Sequence, residues 1–411
     1  MSASSTRPSY AAVLRMPYAK RTFTAALVGR LSYGTVSLAV MLAVSRATGS
    51  YAVAGTVMAL FGAASVFLTP LRAALVDRYG PRRALLPMAA LYAGLLGVLA
   101  AVSWRPGAPT VLLGAVAVAA GACTPPLGAA MRAVWGELIA DRRLLQRAYS
   151  LDAVAEELMF VSGPLLVGVV VGFAPPAAGV ALSGVLVALG ALGFVMSPAV
   201  RGLAVRASRA GMRMRGRRGL VQPVVVAGGV GLALGAVDLL VLAFAEQRYH
   251  GDSADETVAW VLAALSAGSA VGGLLNGAVN WRTSARVRLP LLAVGLALAL
   301  AAAGLAPGLV TLSAAVAVAG LFVAPALTTS YLLADEAAPS GFRTQAGAWV
   351  NTAVNAGSSV GAAAVGLLVG RLPLALCFAA SGAVALVAAL ASWHGKASPV
   401  VHTEEAVEAV R

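Results

Sequence analysis

The chain has 411 residues, of which 60% are hydrophobic and only 11% charged, with a mean hydropathy of +0.86. A soluble domain carries about 25% charged residues, so this composition excludes an ordinary soluble enzyme of two or three domains. The formal net charge is +14, a basic balance whose meaning depends on where the cations lie.

Apolar runs of about 18 to 25 residues are long enough to cross a bilayer as helices. In chain order they fall near 22–45, 51–71, 84–103, 110–131, 153–173 and 177–197, then 221–245, 257–279, 289–306, 309–333, 346–369 and 373–392. The expectation is an all-α membrane protein of twelve transmembrane helices in two six-helix sets, residues 22–197 and 221–393. The first run is too long for a cleaved signal peptide and reads as a signal-anchor span. Residues 1–21 and 394–411 are tails, and a basic linker, 198–220, separates the halves. The last tail, with Glu404, Glu405 and Glu408, reads as a disordered end.

The cations decide the orientation. The N-terminal tail, the second–third, fourth–fifth, eighth–ninth and tenth–eleventh connections, the linker and the C-terminal tail hold almost all of the Lys and Arg. The opposite connections hold Arg46, Arg105, Arg248 and Arg371 alone. This positive-inside bias places both termini in the cytoplasm of a plasma-membrane protein. It also explains the basicity without nucleic acid, since no aromatic residues interleave the arginines to stack bases. In the linker, Arg206, Arg209, Arg213 and Arg217 recur at helical spacing. They form either a solvated topogenic loop or an amphipathic stretch on anionic lipid.

Cys123 and Cys377 lie inside apolar segments and read as small core residues. His250, His394 and His402 fall in a loop and the tail, so neighbours cannot assemble a metal cluster. No resident cofactor is implied.

A shift of 199 residues lays the second half on the first. Ala73 meets Gly272, Asp77 meets Asn276, Arg83 meets Arg282, Pro126 meets Pro325 and Glu137 meets Glu336; a shift of 198 puts Gly163 on Gly361 and Gly168 on Gly366. Parallel six-plus-six repeats build transporters that rock one half against the other.

Between the second and third spans runs Ala73-Ala-Leu-Val-Asp77-Arg78-Tyr-Gly80-Pro-Arg82-Arg83. It resembles the cytoplasmic loop motif of the major facilitator superfamily, Gly-x-x-x-Asp-Arg-x-Gly-Arg-Arg, with Ala73 for the leading Gly and Pro81 after Gly80. The resemblance extends over residues 20–393. It implies alternating access, with Asp77, Arg78, Arg82 and Arg83 clamping the halves together at an inner gate. An ion pair between Asp77 and Arg78 is expected there, and Gly80 permits a tight turn. In the fifth span, Gly163-Pro164-Leu-Leu-Val-Gly168 resembles part of the family's antiporter motif, with Met159 and Val167 replacing two glycines. Proline inside a helix removes a backbone hydrogen bond and permits a bend. The family's antiporters often carry an arginine in the fourth span, and the run 110–131 contains none.

A charge at the bilayer centre costs about 2.5–3.5 kcal/mol on insertion scales. Arg30 stands about 12 Å into the first span, and Asp238 about 25 Å into the seventh, at 1.5 Å per residue; Glu246 marks that helix's outer mouth. The resemblance implies that the first and seventh spans line a central cavity. Asp238 then becomes a candidate for proton coupling and Arg30 a partner for an anionic group or an acid. The alternative for Asp238 is a solvated charge in the vestibule, and for Arg30 a side chain that snorkels to the interface.

Asp152, Glu156 and Glu157 enter the fifth span, with Asp152 and Glu156 on one face. They are expected to pair with the arginines at 132–147 and with the helix N-terminus. Glu137 and Glu336 join the same inner charge network. Asn351 and Asn355 share a face of the eleventh span and either donate to substrate or bond between helices. Glycine pairs (Gly231/Gly235, Gly268/Gly272, Gly357/Gly361) read as close helix packing.

A phosphate loop is absent, because the position required before Gly395-Lys396 is Leu390. Gly235-Ala-Val-Asp238 lacks the second glycine of aspartyl intramembrane proteases. The expected function is therefore non-enzymatic and independent of ATP: proton-coupled export of a small amphipathic compound, by a monomer in the bilayer. The alternatives are an importer or facilitator of a small polar nutrient, and a non-transporting membrane receptor.

Overall fold

The computed structural model describes residues 9–201, 217–248, 252–339 and 341–393. The linker arginines 206, 209 and 213 and the acidic tail lie outside the described residues.

Helices dominate. A short α1 (Tyr10–Arg15) precedes α2 (Ala19–Thr48), α3 (Tyr51–Phe67), α4 (Thr69–Tyr79), α5 (Pro81–Val102), α6 (Thr110–Cys123), α7 (Leu127–Leu138), α8 (Arg142–Val171) and α9 (Pro176–Val195). The second half holds α10 (Arg217–Arg248), α11 (Asp252–Ala278), α12 (Ala285–Ala303), α13 (Leu309–Ala337), α14 (Arg343–Leu368) and α15 (Leu374–Trp393). Among the described residues, ten spans are long and apolar enough to cross a bilayer, α6 and α7 together forming one of them. The pair α3 and α4, bent by 42°, makes an eleventh. The polar α14, 26 residues and about 39 Å long at 1.5 Å per residue, completes twelve.

Prolines place the breaks. Pro70 opens α4, and Thr124-Pro125-Pro126 separates α6 from α7. A proline lacks the N–H that would reach back four residues. The carbonyls of Val66, Gly121 and Ala122 therefore lose their helical partners. By contrast α8 and α13 run unbroken through Pro164 and Pro325.

The packing repeats between halves. In the first, α2 packs on α8 and α9, α3 on α6, and α5 on α6 and α9; in the second, α10 packs on α14 and α15, α11 on α13, and α12 on α13 and α15. One apolar core surrounds Trp135, Tyr92 and Phe194 and reaches Tyr331 and Val350 of the second half, and the other, within the second half, surrounds Leu240, Leu289 and Phe378. The glycine pairs work as expected: Gly231 and Gly235 abut the backbone of Val354 and Ser358, Gly268 and Gly272 that of Ala317 and Leu321, and Gly357 and Gly361 that of Gly228 and Leu232.

The halves meet at one end of the bundle, through α8 with α11 and α13, and α14 with α4 and α7. This closed end carries the connections near 80, 140, 281 and 340. The pair α2 and α10 makes no extended contact.

Three sequence boundaries need correction. The fourth span continues through α7 to Leu138, so Arg132 lies inside it and the apparent lack of an arginine there was a boundary error. The fifth span begins at Arg142 rather than 153, leaving Asp152 about three and Glu156 about four turns into the helix, away from its N-terminus. Hydropathy marks only the apolar part of a helix, and both segments extend past it with buried arginines. Within the N-terminal tail, α1 docks on α8, and the Tyr10 hydroxyl donates to the Leu274 carbonyl of the second half at 2.6 Å.

Candidate functional site: a charged cavity between the halves

A cavity of about 400 Å³ lies between the halves, within the range of small-molecule sites. Helices α2 to α5, α7 and α8, with the Thr124–Pro126 break, supply most of its wall, and α10, α13 and α14 the remainder. Met58, Phe61, Phe160, Leu234 and Leu327 make it largely apolar, while Arg30, Tyr33, Arg72, Arg132, Glu156, Asn351 and Asn355 contribute polar groups.

Two arginines and two acids form a compact cluster on one side. Arg30 reaches Asp152 at 2.6 Å and Glu156 at 3.0 Å; Arg132 reaches the same pair at 2.9 and 3.4 Å. The i, i+4 spacing on α8 places both carboxylates on one face, so they bridge α2 and α7. Asp152 is 1% exposed, whereas Glu156 retains 32% exposure. The Arg132 guanidinium also lies 3.8 Å from the Tyr331 ring centroid, a cation–π contact across the halves. Arg30 thus neutralises acids from within the wall instead of snorkelling. Asp152 and Glu156 find Arg132, as expected, together with Arg30.

Arg72 closes both helix breaks. One terminal nitrogen donates to the carbonyls of Gly121 at 2.5 Å and Ala122 at 3.0 Å, the two whose i+4 donors Pro125 and Pro126 remove. The other donates to the Ser65 carbonyl and to Thr69 Oγ1 at 2.7 Å. Tyr33 donates to the Pro125 carbonyl, and Thr352 Oγ1 to the Val66 carbonyl at 3.2 Å, the one whose i+4 donor Pro70 removes. Arg72 is 4% exposed. Among the described residues no carboxylate lies within ion-pair distance of it.

Asn351 and Asn355 both line the cavity, with Asn355 donating to the Asn351 carbonyl at 2.8 Å. Asp238 stands one helical turn beyond Leu234 on α10; it is exposed and outside the cavity wall. Glu246, two turns further, is also exposed. Arg30 and Asp238 are therefore not opposed across the cavity.

At the closed end, Asp77 accepts from the backbone N–H groups of Thr344 at 3.3 Å and Gln345 at 2.8 Å. It caps the first turn of α14 from the opposite half, and does not take the ion pair with Arg78 that its sequence neighbour suggested. Arg78 lies 5.2 Å from the Tyr79 ring centroid, while Arg82 and Arg83 are exposed at the start of α5. Gly80, at φ +82°, makes the tight turn between α4 and α5. Glu137 pairs with Arg343 at 3.5 Å and Glu336 with Arg142, so the inner charge network forms across the halves. Glu157 accepts from Ser269 of α11 at 2.8 Å.

Gly163 packs against the Gly34 backbone of α2, while Gly168 faces open space. Pro164 stays within a continuous helix.

Arg72, Arg132, Arg147 and Arg288 border apolar runs in the sequence, as topogenic loop cations do. All four are at most 5% exposed. Arg147 donates to the Ala278 carbonyl at 3.2 Å and Arg288 to Gln146 at 3.2 Å, both across the halves. A local signal existed for two of them, since apolar residues continue past Arg72 and Arg132.

No protein-family model and no curated protein matches the sequence. Solved structures do. The chain superposes on the human organic anion transporter MFSD10 (TETRAN) with a TM-score of 0.69 at 15% identity, covering 94% of this chain and 100% of that one. A bacterial homologue of the iron transporter ferroportin, in an outward-facing state with soaked iron, gives 0.67 at 15%, covering 91% and 96%. The proton:xylose symporter XylE gives 0.69 at 14%, covering 92% and 95%.

Proposed function

The chain has the major facilitator fold, and on that premise we propose that it is a secondary transporter working by alternating access, which exports a small amphipathic compound against a proton gradient. The observation that carries this reading is the cavity between two repeated halves, closed at one end by contacts that join them. The cation distribution supports assigning the closed end to the cytoplasm. The state described would then be accessible from outside.

A largely apolar wall with a few polar groups suits an amphipathic solute better than a sugar, whose hydroxyls each need a partner. Two carboxylates are candidates for coupling: Glu156 in the wall and Asp238 one turn outside it. Protonating Glu156 would weaken its hold on Arg30 and Arg132 and so couple proton uptake to the wall's geometry.

The test is substrate-dependent proton flux in proteoliposomes under an imposed pH gradient, across a panel of amphipathic and polar compounds. Proton movement triggered by an amphipathic compound and lost in Glu156→Gln or Asp238→Asn supports coupled export and identifies the carboxylate. Flux of a polar solute without proton movement would make the protein a facilitator. Ligand binding without flux would favour a receptor.

A further inference from the structure

We propose that the cavity selects organic anions: amphipathic molecules bearing one negative charge, such as a carboxylate on an aromatic body. This rests on the transporter reading above and names the substrate class of the same cavity.

The argument is a charge balance within the wall. Arg30 and Arg132 are matched by Asp152 and Glu156, each arginine within ion-pair distance of both acids. Among the described residues Arg72 has no such match: its partners are carbonyl and hydroxyl oxygens, which orient its charge without cancelling it. The other nearby acids are committed or displaced. Asp77 caps α14, Glu157 is held by Ser269, and Asp238 is exposed one turn outside the wall. Arginine does not lose its proton at accessible pH. A buried guanidinium therefore leaves the cavity with one unbalanced positive charge, in a site where low dielectric makes charge interactions strong.

The remaining wall says what carries the anion. Phe61, Phe160, Met58 and Leu234 accept an apolar or aromatic body. Asn351 and Asn355 offer amide groups in the wall, and among the described residues the Arg132 Nε proton has no partner.

The experiment measures binding by the purified full-length protein in detergent, by thermal shift and equilibrium dialysis. The probes are matched sets: 1-naphthaleneacetate, its amide and 2-(1-naphthyl)ethylamine, with further arylalkanoate sets of different length. The acid is expected to bind about tenfold tighter than its amide, and the amine not to bind. Arg72→Gln, which keeps amide donors for the proline-orphaned carbonyls, should bring acid and amide to near parity. Asn351→Asp, which leaves Arg72 untouched, should do the same by adding a balancing charge. If no set shows an acid preference, or if both variants retain it, the proposal is overturned. Binding is read without flux, so a non-transporting protein with the acid preference would sink the transport reading and leave the anion site standing.

Discussion

Arg72 supplies, from α4, the hydrogen-bond donor that Pro125 lacks: its guanidinium lies 2.5 Å from the Gly121 carbonyl. The adjacent Ala122 carbonyl, orphaned by Pro126, is 3.0 Å from the same nitrogen. A break in a membrane helix is tolerated only where the freed backbone groups find other partners. Here one side chain serves two breaks, because it also donates to Ser65 and Thr69 at the bend between α3 and α4. Replacing Arg72 with Ala would strand buried carbonyls at about 1–3 kcal/mol each. The expected result is a markedly lower melting temperature in detergent, with Arg72→Gln intermediate. An unchanged melting curve for Arg72→Ala would remove the bridging role.

Asp152 holds Arg30 and Arg132 together at 1% exposure. Breaking a buried pair by removing one partner costs about 3–5 kcal/mol, because charge is left uncompensated. Asp152→Asn should therefore destabilise strongly, and a joint replacement of all four charged groups (Arg30→Met, Arg132→Met, Asp152→Leu, Glu156→Gln) less so. Thermal unfolding of both variants checks the order; equal losses would mean the charges are not buried as a unit.

Asp77 caps α14 from the other half, so the bond exists only while the closed end is closed. Losing a helix cap costs about 1 kcal/mol, roughly fivefold in a two-state equilibrium. Asp77→Ala should shift the population toward opening at that end by this factor. Accessibility of a cysteine placed at Ala348, which packs against Ala73 and Ala129, reports it. Labelling no faster than in the parent would show that the cap does not hold the closed state.

Glu137 and Glu336 occupy equivalent positions, and each reaches an arginine of the opposite half. The pairs differ in exposure: Arg142 is 66% exposed and Arg343 27%. Exposed pairs contribute little, at most about 1 kcal/mol. Glu336→Gln should hardly change the labelling rate, and Glu137→Gln should raise it more. The reverse order would contradict the exposure argument.

Gly163 abuts the Gly34 backbone, while a Cβ at Gly168 would meet nothing within 4 Å. Overpacking costs about 1–3 kcal/mol, so Gly163→Ala should lower the melting temperature and Gly168→Ala leave it unchanged. Equal effects would place the close approach elsewhere.

The sequence by itself determined the membrane class, the helical spans and the repeat that the packing of the two halves follows. These are written in local composition and in a fixed offset, and need no knowledge of what touches what. Helical spacing also put Asp152 with Glu156 and Asn351 with Asn355. Tertiary structure alone decided the partners. Asp77 met a helix N-terminus 267 residues away instead of its neighbour Arg78. Arg72 and Arg132, which resemble topogenic cations because they border apolar runs, became buried members of the cavity wall. A charge's role depends on the groups within a few ångströms of it. Those groups come from other helices, so only packing could turn a topology signal into a site.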